Sequence, residues 1–162
     1  MLKVIALVTM ILANPTFAKV ESNLISILTA QKPFYIFPEE NNGLYTIEMA
    51  YAEDCQVAFR DSLEFHPNRH DRVKYTSTKV FSFSDLEFAF IDYDQAPIYY
   101  RVYFGSNSVE AIKIVGAEVE DQRGIRMIKD STEMQSLLRF KNLEDAEQAW
   151  SYLTNNMDKC RK

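Results

Sequence analysis

The sequence predicts an α+β fold, a β-rich domain with a helix at each end. Two observations carry this. From Leu44 onward apolar and polar residues alternate with period two, the mark of strands that bury one face. Residues 20–30 and 143–160 instead repeat their apolar positions at helical spacing. Polar turn clusters between the alternating runs are spaced as hairpins require.

The first element is a leader. Lys3 gives a minimal positive start, and Val4 to Ala13 is an apolar run interrupted only by Thr9. Asn14-Pro15 breaks a helix there, and Thr16 and Ala18 supply the small residues a signal peptidase needs at −3 and −1. Residues 1–18 are therefore expected to be a signal peptide; the rival reading is an uncleaved amphipathic or anchored N-terminus. The run falls short of the roughly 20 apolar residues that span a bilayer, so no stable membrane insertion is expected. Its removal leaves residues 19–162 as one globular domain, with 19–43 a helix and connection and 44–160 the core.

Along that domain, Val20, Leu24, Ile27 and Leu28 line one face of a helix over 20–30, which Lys32-Pro33 ends. Phe34 to Phe37 reads as a short strand and Pro38 to Gly43 as a polar turn. Leu44 to Tyr51 is the next strand. Cys55 to Phe65 and Arg72 to Phe83 pair as a hairpin around the loop His66 to Asp71. Phe88 to Ile91, Ile98 to Phe104 and Val109 to Val115 follow. Glu118 to Gly124 reads as a polar stretch, before Ile125 to Ile128 and Gln135 to Phe140. Asn142 caps the last helix with Asp145 three residues on, and Leu143, Ala146, Ala149, Trp150, Leu153 and Met157 line its face.

Export into an oxidising space makes Cys55 and Cys160 the expected disulfide, since the sequence holds two cysteines and one intramolecular pairing. Two free buried thiols are the alternative. The net charge of −5 becomes −6 once Lys3 leaves, which is ill suited to neutralising phosphates, so no nucleic-acid partner is expected. Hydrophobic residues at 47% fill a core without help, and no cofactor is expected.

The order of about seven antiparallel strands and one closing helix resembles a pleckstrin-homology-like two-sheet barrel. Asp54-Cys55-Gln56-Val57, Val80-Phe81-Ser82-Phe83-Ser84-Asp85-Leu86, Leu143-Glu144-Asp145-Ala146-Glu147-Gln148-Ala149-Trp150 and the late Cys160 are similar to a loose group of exported bacterial domains without assigned activity. The resemblance spans roughly residues 44–160. It implies a barrel whose open end the helix covers, pinned by the bridge to the start of the first hairpin. Fold alone carries no function. Phosphoinositide-binding members of the pleckstrin-homology family cluster basic residues here, and Arg60, Arg69, Arg72 and Lys74 stand in that region. Asp61, Glu64 and Asp71 interrupt them and blunt the field a phosphate needs.

Catalytic motifs are sparse. His66 and His70, with Asp71, form a weak metal candidate, against which a solvated loop tip stands as the simpler reading. Asp92-Tyr93-Asp94 pairs two carboxylates, more simply a turn than acid–base machinery. No G-x-S-x-G elbow occurs, and the four glycines, scattered, form no phosphate loop. Tyr93, Tyr99, Tyr100 and Tyr103 are the candidate partner-binding residues, because large rings order at low entropic cost in an interface. The reading is a periplasmic or secreted, non-catalytic protein of the bacterial envelope that binds a protein partner, as inhibitors and immunity proteins do. The alternative is a small metal-dependent hydrolase using His66, His70 and Asp71.

Overall fold

Among the described residues there are ten strands in two antiparallel sheets, most of them formed by the period-two alternation, and the two helical patterns form α-helices. The computed structural model describes residues 18–68, 71–96 and 98–161. Helix α1 (Ala18–Ala30) is followed by β1 (Phe34–Phe37), β2 (Asn42–Glu53), β3 (Gln56–Phe65), β4 (Val73–Ser82) and β5 (Phe88–Asp92). Next come β6 (Tyr100–Gly105), β7 (Ile112–Asp121), β8 (Gly124–Met127), β9 (Ser131–Glu133), β10 (Gln135–Phe140) and helix α2 (Leu143–Cys160). The leader apart from Ala18, and His70 with it, lies outside the described residues.

The larger sheet runs β1-β2-β3-β4-β7-β8, with β9 also paired to β7; the smaller runs β10-β6-β5. Alternation along β3 sends Val57, Phe59 and Asp61 inward, and β4 sends Ser77, Lys79 and Phe81 to the same side. Phe104 of β6 meets Phe81 at 4.8 Å and Phe59 at 6.4 Å between ring centroids, so the inner faces of the two sheets share one aromatic core.

The expected closed barrel does not form. Among the described residues no strand of one sheet pairs with a strand of the other. Side chains take backbone acceptors on the two edge strands of the smaller sheet. Gln31 of the α1 end donates to the Arg139 carbonyl on β10 at 2.8 Å. The Trp150 indole of α2 donates to the Ala89 carbonyl on β5 at 3.0 Å.

Helix α2 buries Ala146, Ala149, Leu153 and Met157, while its cap, Asn142, accepts the Asp145 N–H at 2.8 Å, as the sequence predicts. Leu24 and Leu28 bury the matching stripe of α1. Cys55 and Cys160 are bonded, their Cα atoms 5.8 Å apart, which fastens the far end of α2 to the β2–β3 turn. Beside the bridge the Phe83 N–H donates to the Cys55 carbonyl at 2.8 Å, and the Phe83 ring meets Tyr152 of α2 edge-on.

Two stretches differ from the sequence expectation. Glu118 to Asp121 continue β7 as strand, leaving only Gln122-Arg123 as the turn into β8. Ala117 and Val119 go in while Glu118 and Glu120 find Arg60 and Arg72, so the carboxylates cost the strand little. The pattern is hidden by a bulge at Gly116, where φ is +57° and the register against β4 slips by one residue. The second miss is β9, three exposed polar residues held to β7 at Ile112 to Ile114.

Candidate binding surfaces

Two features stand out: an aromatic hollow on edge strand β5, and a polar cleft on the inner side of the larger sheet.

In the hollow, β5 alternates so that Ala89 and Ile91 face the core side and Phe90 faces out. Phe90, 49% exposed, stacks on Tyr103 of β6 at 5.3 Å with ring planes 17° apart. The Arg101 guanidinium lies over the same Tyr103 ring, 5.6 Å from its centroid. Tyr93, 53% exposed, meets Tyr100 edge-on at 6.2 Å. Trp150, 40% exposed, is held in place by its bond to Ala89. Ala89, Phe90, Ile91, Tyr93 and Trp150 together line a hollow of about 230 Å³. Its edge is acidic. Asp92 pairs with Arg101 at 2.5 Å and also accepts the Asp94 N–H, while the Asp94 side chain is exposed.

The four tyrosines singled out in the sequence therefore separate. Tyr93 lines the hollow, Tyr100 meets Tyr93 from the core side of β6, and Tyr103 lies on the opposite face of β6 against Phe90. Tyr99 stands apart: it precedes β6, is 7% exposed and packs 6.3 Å from Phe34 in the core. The bonds from the Ile98 and Tyr99 N–H to the Gln95 carbonyl hold Tyr99 in the turn before β6, so period-two alternation does not apply to it. Phe90 and Trp150 were not singled out. Helical spacing puts Trp150 with the buried residues, about 40° from Ala146 and about 20° from Met157, and only its place at the flank of that stripe, about 100° from Ala149, leaves it half-exposed.

In the cleft, Asp61 is buried and fully engaged. It accepts from Lys79 Nζ at 2.8 Å, from the Tyr45 hydroxyl at 3.3 Å and from Ser77 Oγ at 3.3 Å. Burial, and then the neighbouring Asp61 carboxylate, push the Tyr45 hydroxyl well above the ordinary tyrosine range. Arg139 stacks over the Tyr45 ring at 5.3 Å. These groups open on a cleft of about 340 Å³ whose apolar wall includes Leu63, Ile114 and Ala117. Sequence reading missed it, although Asp61 falls at the inward parity of Val57 and Phe59.

The remaining candidates are tied down. Arg60 bonds Glu48 at 3.2 Å and Glu118 at 3.0 Å, Lys74 bonds Glu48 at 2.6 Å, and Arg72 bonds Glu64 at 2.9 Å. Burial pushes the Glu48 carboxyl up, but Lys74 and Arg60 outweigh it and hold it below its ordinary value. Arg72 holds Glu64 low in the same way, against the opposing effect of burial, with help from His66. Arg60, Arg72 and Lys74 thus meet carboxylates, and Arg69 lies outside the described residues. His66 contacts Glu64 at 3.2 Å, and Asp71 accepts from Asn68 and Gln122. Among the described residues no group of three His, Cys, Asp or Glu is arranged to hold a metal ion. Nor is any described helix long and apolar enough to cross a membrane.

Comparison of the chain with protein-family models, curated proteins and solved structures finds no match.

Proposed function

We propose that this chain is an exported, disulfide-stapled recognition domain of the bacterial envelope. It acts by covering a site on a protein partner, in the manner of an inhibitor or immunity protein, and in a pleckstrin-homology-like variant whose sheets stay open. The observation that carries the reading is the hollow formed by Phe90, Tyr93 and Trp150 beside β5. Three large rings converge on a concavity that a partner side chain can fill, and such aromatic anchors dominate binding energy in protein interfaces. The indole is already fixed by its bond to Ala89, so little order has to be imposed on binding. Asp94 at the rim and the net charge, −5 for the full chain and −6 without Lys3, favour a basic partner. The Cys55–Cys160 bridge supports an oxidising compartment, periplasmic or extracellular.

The test is capture from periplasmic extract by the wild-type protein and by Tyr93→Ala/Trp150→Ala. The reading expects one basic protein retained at near-stoichiometric amount by the wild type and lost with the double variant. Equal recovery by both proteins, with the variant folded by circular dichroism, would overturn it.

A further inference from the structure

We propose that the cleft beneath β3, β4 and β7 is a binding site for a small monoanionic amphiphile, a carboxylate on an apolar body, with Arg139 receiving the carboxylate.

The charged side chains of the cleft are unevenly paired. Asp61 is matched by Lys79, and its remaining capacity is taken by Tyr45 and Ser77. Glu118 at the margin is matched by Arg60. Arg139 has no such match. Its Nε is buried without a hydrogen-bond partner, and among the described residues it makes no ion pair; its guanidinium carbon lies over the Tyr45 ring, 5.3 Å from the centroid. A guanidinium offers a planar N–H fork that a carboxylate fits. Leaving the buried Nε–H unmet is costly, and a carboxylate received by Arg139 offsets that cost.

The shape and walls set the rest of the ligand. A volume of about 340 Å³ lies at the small end of ligand sites, which run about 300–1,000 Å³. Leu63, Ile114 and Ala117 form an apolar wall, and Tyr75 and Ile128, each 48% exposed, offer more apolar surface. Glu133, also lining the cleft, repels any anion and a dianion such as a phosphate monoester most, so the ligand that suits the cleft carries one negative charge, set against Arg139. None of these residues belongs to the β5 hollow, so the site is independent of the partner surface.

The experiment titrates sodium decanoate, below its micellar range, into the purified oxidised protein by calorimetry, with methyl NMR to locate binding. Decanol and decyl phosphate are run alongside. The proposal expects one saturable decanoate site that shifts the Leu63, Ile114 and Ile128 methyls, with decanol and decyl phosphate at least tenfold weaker. Arg139→Met should lose at least tenfold and Arg139→Lys should recover part of it. Absence of saturable decanoate binding, or shifts confined to the Phe90 and Trp150 region, would overturn the proposal. So would equal affinity for decanol and decanoate, a comparison made on the unaltered protein and so independent of how Arg139 variants fold.

Discussion

Asp61 occupies a position that strand alternation reserves for an apolar side chain, and Lys79 lies one pair away on the neighbouring strand. Their side chains keep only 8% and 13% exposure, so neither charge is well solvated. Removing one partner strands the other, which typically costs about 3–5 kcal/mol, while replacing both by apolar groups of similar size is close to neutral or stabilising. Asp61→Ala should therefore lower stability in urea by about 3–5 kcal/mol, and Asp61→Leu/Lys79→Met should recover most of that loss. At the surface the carboxylates of Glu48 and Glu64 sit below their ordinary value of 4.5. A group whose folded pKa is depressed adds stability above its unfolded pKa and loses it as pH falls through the folded value. The contribution is thus intact above about pH 4.5 and disappears in more acid solution. Melting temperature followed from pH 7 to pH 2.5 should drop in that window, and Glu48→Gln should flatten the drop. Each exposed pair contributes only about 0.2–1 kcal/mol, so the flattening is modest.

At the scale of elements, the terminal helix is held by a cap at one end and a covalent bond at the other. Asn142 and Cys160 do these jobs, and both were readable in the sequence because each acts locally or has a single possible mate. The bridge closes a loop of 105 residues, and losing such a bond typically costs 2–5 kcal/mol. Cys55→Ser/Cys160→Ser should accordingly unfold at lower denaturant by an amount in that range. The first amides to exchange should be those of the last turns of α2, where Met157 and Tyr152 lose their clamp. Strand order was legible wherever residues alternate cleanly, as in β3, β4 and β6. It was not legible where one residue is inserted, as at Gly116, because a bulge shifts the parity and the following carboxylates then look like a loop. Nor was β9 legible. Its three polar residues carry no pattern of their own, and they become a strand because β7 offers a free edge. Gly105 belongs to the same account: a Cβ there would lie 2.3 Å from the Met134 carbonyl, so the β6–β10 approach requires glycine.

For the whole molecule, two sheets and a helix enclose one core yet leave edges that a closed barrel would have consumed. Which edge remained available was beyond the sequence, because it depends on long-range contacts such as Trp150 reaching Ala89 over 61 positions. Composition points to aromatic residues as candidate contact material. It could not divide them between core and surface, so Tyr99 was placed with the exposed group and Phe90 was passed over. The proposed recognition surface is β5 with its flanking rings, and the most direct check is site-specific photo-crosslinking in the producing cell. A benzophenone side chain at Tyr93 should yield one dominant covalent adduct that Trp150→Ala abolishes, while the same probe at exposed Tyr35 on β1 yields none. Equal adducts from both positions, or none from Tyr93 in cells that export the folded protein, would contradict it.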